Sequence, residues 1–244
     1  MGAHLVTGAA SGLGAAVTAR LRDRGERVVT VDLRDADVIA DLGTVDGRAG
    51  ALERALALVD GPLAGLVPCA GLGPQVPDHG LIASVNFFGA VAFLDGCLDA
   101  LATAAPSAAV AISSNSTTID PTVDAALVAA FLARDEDAAR TLAAAMPGNT
   151  VYASSKVAIA RDVRRRVQDW GGLGVRINAV APSLAMHPFL AKVSSEEFLA
   201  ELAEKEAFGR AAEVWEIANV IVFLASDYSS YMTGEIVSVS SQHP

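Results

Sequence analysis

Tyr152 and Lys156 stand four residues apart, as Tyr-x-x-x-Lys. On a helix this spacing puts both side chains on one face. A phenol with its ordinary pKa of about 10 exchanges protons poorly near neutrality. An ammonium beside it favours the phenolate, and each pKa unit is worth about 1.4 kcal/mol. The pair therefore reads as an acid–base device. Ser113-Ser114-Asn115-Ser116 follows an apolar run at 108–113 that reads as a strand. Ligands in open parallel sheets bind beyond the carboxyl ends of strands. A hydroxyl of that serine cluster can therefore hold a substrate oxygen near Tyr152. Asn86 lies in the apolar segment Ser84-Val85-Asn86-Phe87-Phe88-Gly89. A buried amide needs partners, so it either kinks its helix or anchors a water leading to Lys156.

A second constellation lies at the other end of the sequence. Thr7-Gly8-Ala9-Ala10-Ser11-Gly12-Leu13-Gly14 follows one strand pattern and opens a helix pattern. Glycines there permit a tight turn, and backbone N–H groups at the helix start attract a pyrophosphate. Gly8, Ser11, Gly12, Leu13 and Gly14 are the candidate contacts. Asp32 ends the second expected strand, about 20 residues beyond the turn. Its carboxylate suits the two adenosine ribose hydroxyls and repels a 2′-phosphate, so the expected cofactor is NAD and not NADP. Asp41-Leu42 follows Val38-Ile39-Ala40. Asp41 suits the adenine amino group, and Leu42 suits the face of its ring. Asp35 and Asp37 read as solvated loop charges. The positive ring of an oxidised nicotinamide would add to Lys156 in favouring the Tyr152 phenolate.

Other chemistries find no pattern. The four histidines, His4, His79, His187 and His243, are scattered, and no Cys/His spacing suits zinc. No Gly-x-Ser-x-Gly elbow marks a serine hydrolase.

The elements that must position these residues alternate between strand and helix. Strands are expected at 3–7, 27–32, 64–68, 108–113, 174–181 and 235–239, with a short run at 38–40. Helices are expected at 12–24, 46–59, 80–104, 151–170 and 213–225. Such alternation gives right-handed βαβ units around a buried parallel sheet. The interval 115–150 breaks it. Asp120-Pro121 reads as a helix start, with Val123, Leu127 and Phe131 on one face. A second helical piece at about 135–146 ends at the turn signal Pro147-Gly148-Asn149. The expected fold is one Rossmann-like α/β domain over residues 1–244. It has a doubly wound parallel sheet of about seven strands and a helical insertion at about 115–150.

The 244 residues are 52% hydrophobic, with 18 Lys and Arg against 28 Asp and Glu, for a net charge of −10. That length supports a large core, and the acidic balance disfavours nucleic acid. No apolar run long enough to span a membrane is read, and Leu81–Leu94 reads as a buried helix. The N-terminus lacks a signal-peptide pattern. Cys69 and Cys97 read as reduced thiols of a cytoplasmic protein.

Together these residues resemble the short-chain dehydrogenase/reductase superfamily along nearly the whole chain. The matching pieces are the glycine motif at 7–14, Asp32, Asp41, Cys69-Ala70-Gly71, Asn86, Ser114, Tyr152 and Lys156. The resemblance implies a catalytic tetrad of Asn86, Ser114, Tyr152 and Lys156. It also implies cofactor contacts from Cys69, Ala70, Gly71, Tyr152 and Lys156. Within the superfamily the chain is most similar to bacterial 3α-hydroxysteroid dehydrogenase/carbonyl reductases. The runs carrying that likeness are Asp35–Leu42, Cys69–Gln75, Ser84–Ala90 and the long interval between Ser114 and Tyr152. The implied activity is NAD(H)-dependent interconversion of a secondary alcohol and a ketone. Two alternatives stay open: an aryl or allylic alcohol dehydrogenase of the coniferyl-alcohol kind, and an NAD-binding protein with little turnover. The expected partner is a small ketone or alcohol, with no nucleic acid and no membrane.

The chain departs from the family pattern in three places. Pro68-Cys69-Ala70-Gly71 replaces Asn-Asn-Ala-Gly. Pro182-Ser183 replaces Pro-Gly, and His187 stands where a threonine helps to hold the nicotinamide amide. Ser240-Ser241-Gln242 replaces Asp-Gly-Gly. The insertion is expected to pack on the Tyr152 helix through Val123, Leu127, Phe131 and Leu142. That would cover the long-helix pairing surface common in the family, leaving a homodimer through another surface, or a monomer.

Overall fold

A computed structural model describes residues 2–116, 122–183, 185–186, 204 and 206–241. Its strands are β1 (Ala3–Thr7), β2 (Arg27–Asp32), β3 (Val38–Ile39), β4 (Leu63–Pro68), β5 (Ser107–Ile112), β6 (Val175–Pro182), β7 (Ala185–Met186), β8 (Ala212–Glu213) and β9 (Ile236–Val239). Seven of them form one parallel sheet in the order β3-β2-β1-β4-β5-β6-β9, and β7 pairs with β8. The sheet is open, as expected for a doubly wound Rossmann-like fold. β1 and β5 are buried along nearly their whole length. Their continuous apolar runs follow from helices covering both faces.

Helices α1 (Gly12–Asp23) and α8 (Val214–Ala225) cover one face, where Val17 and Leu21 meet Ile217 and Ile221 in one apolar cluster. Helices α2 (Val45–Leu58), α3 (His79–Gly96) and α7 (Gly148–Gly172) cover the other. By length and mean hydropathy α3 would pass as a membrane-crossing helix, although no run that long is read from the sequence; burial bears out the buried helix expected over Leu81–Leu94. It is 67% buried inside the fold and serves as a core helix. The helical pattern expected at 80–104 is broken at Cys97, and α4 (Leu98–Thr103) follows. Gly96 makes room there for α2, because a Cβ on it would come within 2.0 Å of Leu52.

The insertion contains α5 (Ala125–Leu132) and α6 (Glu136–Ala144). The helix start expected at Asp120-Pro121 falls on or beside residues outside those described. The cap of α5 is Asp124, whose carboxylate accepts from Leu127 N at 2.7 Å. Leu127 and Phe131 are fully buried, and Val123 and Leu142 pack partly buried against the same core. The Phe131 ring lies 4.9 Å from that of Phe87 on α3. Asp124 N donates to Ser154 Oγ of α7 at 2.9 Å, and Arg134 pairs with the buried Asp162 of α7 at 2.7 Å. The insertion therefore covers the outer faces of α3 and α7. The turn expected at Pro147-Gly148-Asn149 is instead the beginning of α7, capped by Pro147. A Cβ on Gly148 would lie 2.0 Å from Pro74 O, so the close approach of the 72–76 loop selects glycine there.

Candidate active site

The sheet changes direction between β1 and β4, so the chain segments leaving both strands face one crevice. Thr7 pairs with Pro68 at that point. Gly8 has φ +69°, and a Cβ on it would lie 2.7 Å from Ala70 N. A Cβ on Gly14 would lie 2.1 Å from Gly8 O. These two glycines let the turn, the start of α1 and the 69–71 segment close on each other with backbone facing the crevice. Ala70 N donates to the buried Thr7 Oγ1 at 3.1 Å. Ser11 caps α1 without a side-chain bond, and Gly12 and Leu13 open the helix. First-turn N–H groups lack intrahelical partners and suit a phosphate.

Asp32 leans over this turn. Its Oδ2 accepts from Ala10 N at 2.9 Å and its Oδ1 from Leu33 N at 2.6 Å. A carboxylate fixed this way keeps lone pairs for ribose hydroxyls and repels a phosphate in the same place. Asp41 is exposed, and its Oδ1 accepts from Gly43 N at 2.8 Å. The cradle thus fits a dinucleotide with an unphosphorylated adenosine ribose.

Leu42 departs from expectation. It is 5% exposed and belongs to the core, in contact with α3 at Gly89. Its side chain offers no platform to an adenine ring, so any contact from Leu42 comes from backbone. Leu33, at 64% exposure beside Asp32, is an apolar side chain standing free at that end, as are Ile39 and Val45. The sequence signal for Leu33 was a leucine directly after the acid. Asp37 is also more than a solvated charge, since its Oδ2 accepts from Thr30 N at 2.9 Å and from Thr30 Oγ1 at 2.7 Å.

The 69–71 segment links the two ends of the site. A Cβ on Gly71 would lie 3.4 Å from Asn86 Oδ1 and 3.8 Å from Lys156 Nζ. Asn86 sits in a π-helical stretch of α3, Ser84–Gly89. Its Oδ1 accepts from Leu72 N at 2.7 Å and its Nδ2 donates to Leu72 O at 3.0 Å. The amide thus pins the loop after β4. Cys69 and Cys97 are both free thiols; Cys97 is buried and Cys69 only half-buried. Burial pushes the Cys69 thiol up to about 12, so it stays neutral and gives Lys156 no counter-charge at working pH.

Ser114 is buried beyond the end of β5, with its hydroxyl beside that of Tyr152. Burial pushes Tyr152 above the ordinary phenol value, and the Ser114 hydroxyl pulls it partly back. Lys156 Nζ lies 5.6 Å from the centre of the Tyr152 ring and donates to Ile112 O at 3.0 Å. Burial draws Lys156 down to about 8. The expected depression of Tyr152 by Lys156 is therefore not realised here, because the ammonium is directed at a carbonyl. Ser113, which motif reading did not single out, donates from Oγ to Lys156 O at 3.0 Å. Two adjacent residues at the end of β5 thus hold both the ammonium and the backbone carbonyl of Lys156.

Among the family departures, Ser183 N donates to Val239 O at 3.0 Å, joining β6 to β9. Ser241 N donates to the buried Glu206 at 3.2 Å. His187 and Gln242 lie outside the described residues. Among the described residues no group of three His, Cys, Asp or Glu converges as a metal site would require.

Residues 137–241 match a family model described as enoyl-(acyl carrier protein) reductase. The chain is 40% identical over 235 residues to a Comamonas testosteroni protein named 3-alpha-hydroxysteroid dehydrogenase/carbonyl reductase, covering 94% of this chain and 91% of that one. It is 30% identical to cis-4-hydroxycyclohexanecarboxylate dehydrogenase of Sinomonas cyclohexanicum, over 96% of this chain and 93% of the relative. The crystal structure of 3-alpha-hydroxysteroid dehydrogenase from Pseudomonas sp. B-0831 complexed with NADH superposes with a TM-score of 0.90 at 38% identity. It covers 97% of this chain and 94% of that one.

Proposed function

The chain belongs to the short-chain dehydrogenase/reductase superfamily, and we propose that it is an NAD(H)-dependent oxidoreductase interconverting a secondary alcohol and a ketone on a saturated carbocycle. The observation that carries the reading is the Tyr152–Ser114 hydroxyl pair backed by Lys156, opening through Gly71 onto the glycine cradle. The ring preference rests on two relatives matched over nearly their whole length, whose names place the hydroxyl on a steroid and on a cyclohexane.

NAD supplies or accepts the hydride. In reduction, the Ser114 and Tyr152 hydroxyls hold the ketone oxygen, and Tyr152 passes its proton to that oxygen as the alcohol forms. A phenol with a pKa of about 10 or above is protonated at neutral pH, the state a reduction requires, and burial leaves Tyr152 so. With the cofactor bound, Lys156 would reach the nicotinamide ribose, and its charge beside Tyr152 would favour the phenolate left behind. Asn86 holds the Leu72 loop beside them and supports return of the proton from solvent. Gly8, Ser11, Gly12, Leu13 and Gly14 hold the pyrophosphate, Asp32 the ribose and Asp41 the adenine, with Leu42, Cys69, Ala70 and Gly71 contributing backbone.

A panel of steroid ketones, substituted cyclohexanones and coniferyl alcohol, each with NADH or NAD, tests this reading. Turnover confined to aryl or allylic alcohols would overturn the ring assignment. Cofactor binding with no turnover at all would overturn the activity. The protein is further proposed to work in the cytoplasm as a homodimer through a surface other than α3 and α7, or as a monomer, because the insertion covers those helices. Solution scattering that fits a tetramer built on both helices would refute this.

A further inference from the structure

α6 of the insertion reaches across α3 to the turn that carries Asp41. Arg48, in the first turn of α2, is buried. Its Nη1 donates to Leu42 O at 3.2 Å and to Glu136 Oε1 at 3.2 Å, while its Nη2 pairs with Glu136 Oε2. Glu136 opens α6 and also accepts from Ser84 Oγ at 2.7 Å. Arg140, one turn further on, donates to the same Ser84 Oγ at 2.7 Å. An arginine this buried is tolerated only when paired, and its partner comes from 88 residues away in the sequence.

The Asp41–Thr44 turn joins β3 to α2, with Thr44 capping that helix and Leu42 buried in the core. Two further supports hold it. One is α3, since a Cβ on Gly43 would lie 2.5 Å from Leu81 Cδ1 and 3.5 Å from Val85 Cγ2. The other is the Arg48 bond to Leu42 O. Arg48 keeps its aim because Glu136 takes both terminal nitrogens of the guanidinium, sharing Nη1 with Leu42 O. A fork of fixed geometry transmits the position of one partner to the other.

We infer that Glu136 is a positioning residue for the adenosine half of the cofactor: through Arg48 it sets the Asp41–Gly43 turn against which that half rests. The insertion thereby supports the cofactor site as well as covering α3 and α7. The inference rests on the assignment of Asp41 to the adenine.

Kinetics with NADH and with reduced nicotinamide mononucleotide, which lacks the adenosine half, test it. Glu136→Gln should raise KM for NADH at least fivefold and leave kcat within twofold. The kcat/KM for the mononucleotide should not change. Glu136→Asp, which keeps the charge, should recover most of the NADH affinity. Arg48→Met/Glu136→Leu removes both charges together, so no buried charge is orphaned and the fold is spared. It should show the same loss with NADH alone. Equal losses with both cofactors would make Glu136 a general structural residue and overturn the inference. An unchanged KM for NADH in the double variant would also overturn it. Asp41→Asn keeps the acceptor for Gly43 N and is measured alongside. If it too leaves NADH binding unchanged, the adenine assignment has failed; if it alone weakens NADH, only the role of Glu136 has failed.

Discussion

Replacing Lys156 with methionine should abolish turnover, weaken cofactor binding and yet stabilise the cofactor-free protein. Burial draws the Lys156 ammonium from 10.5 down to about 8. At about 1.36 kcal/mol per pH unit, keeping it charged below that value costs the fold about 3 kcal/mol. Methionine retains the unbranched stem and discards the charge. Against the gain stands Ile112 O, which loses its 3.0 Å donor, at a cost of about 1 kcal/mol. The net gain is about 2 kcal/mol, or roughly 4–8 °C in Tm for a chain of this size. The pH dependence follows from the direction of the shift. The folded value lies below the unfolded one, so between about 8 and 10.5 the unfolded chain binds a proton that the folded chain has released. Wild-type stability gains on the variant across that interval. The advantage of Lys156→Met is thus complete below about pH 8 and fades toward pH 10.5. Melting both proteins side by side from neutral to alkaline pH cancels the other titrating groups. A variant less stable than wild type at pH 7, or an advantage that does not shrink with rising pH, would refute the reasoning.

Tyr152→Phe should lower kcat by roughly 10²–10⁴-fold, the usual worth of a positioned general acid. NADH affinity should stay within a few-fold, as titration of cofactor fluorescence would read; near-wild-type turnover would sink the mechanism. Asp32→Ala should raise the kcat/KM ratio of NADPH to NADH at least tenfold, because the carboxylate that repels a 2′-phosphate is gone. A wild-type enzyme that uses NADPH as well as NADH would contradict that assignment. Gly14→Ala would place a Cβ 2.1 Å from Gly8 O, a backbone atom that cannot swing aside. It should cost about 1–3 kcal/mol of stability together with NADH affinity. Unchanged melting and binding would show that the turn can shift freely.

What the sequence determined by itself was local. Helical spacing placed Tyr152 and Lys156 on one face, and β-branched and apolar runs marked the strands of the sheet. The glycines around 8–14 announced a turn that only a missing Cβ allows, and Asp32 followed at a strand end. These signals need only a few consecutive residues, because backbone geometry alone sets the direction of each side chain. Tertiary structure decided everything that depends on which elements meet. Leu42 reads as a crevice residue by its place after Asp41, yet packing against α3 draws it into the core. Lys156 reads as a charge aimed at Tyr152, yet Ile112 O and Ser113 claim it, and only its burial sets its pKa. The start of α7 at Gly148 was hidden because proline, glycine and asparagine together read as a turn until the 72–76 loop is seen to press on them. Arg48 and Glu136 look like ordinary surface charges in sequence. Folding brings them together across the insertion, where removal from water makes each one require the other.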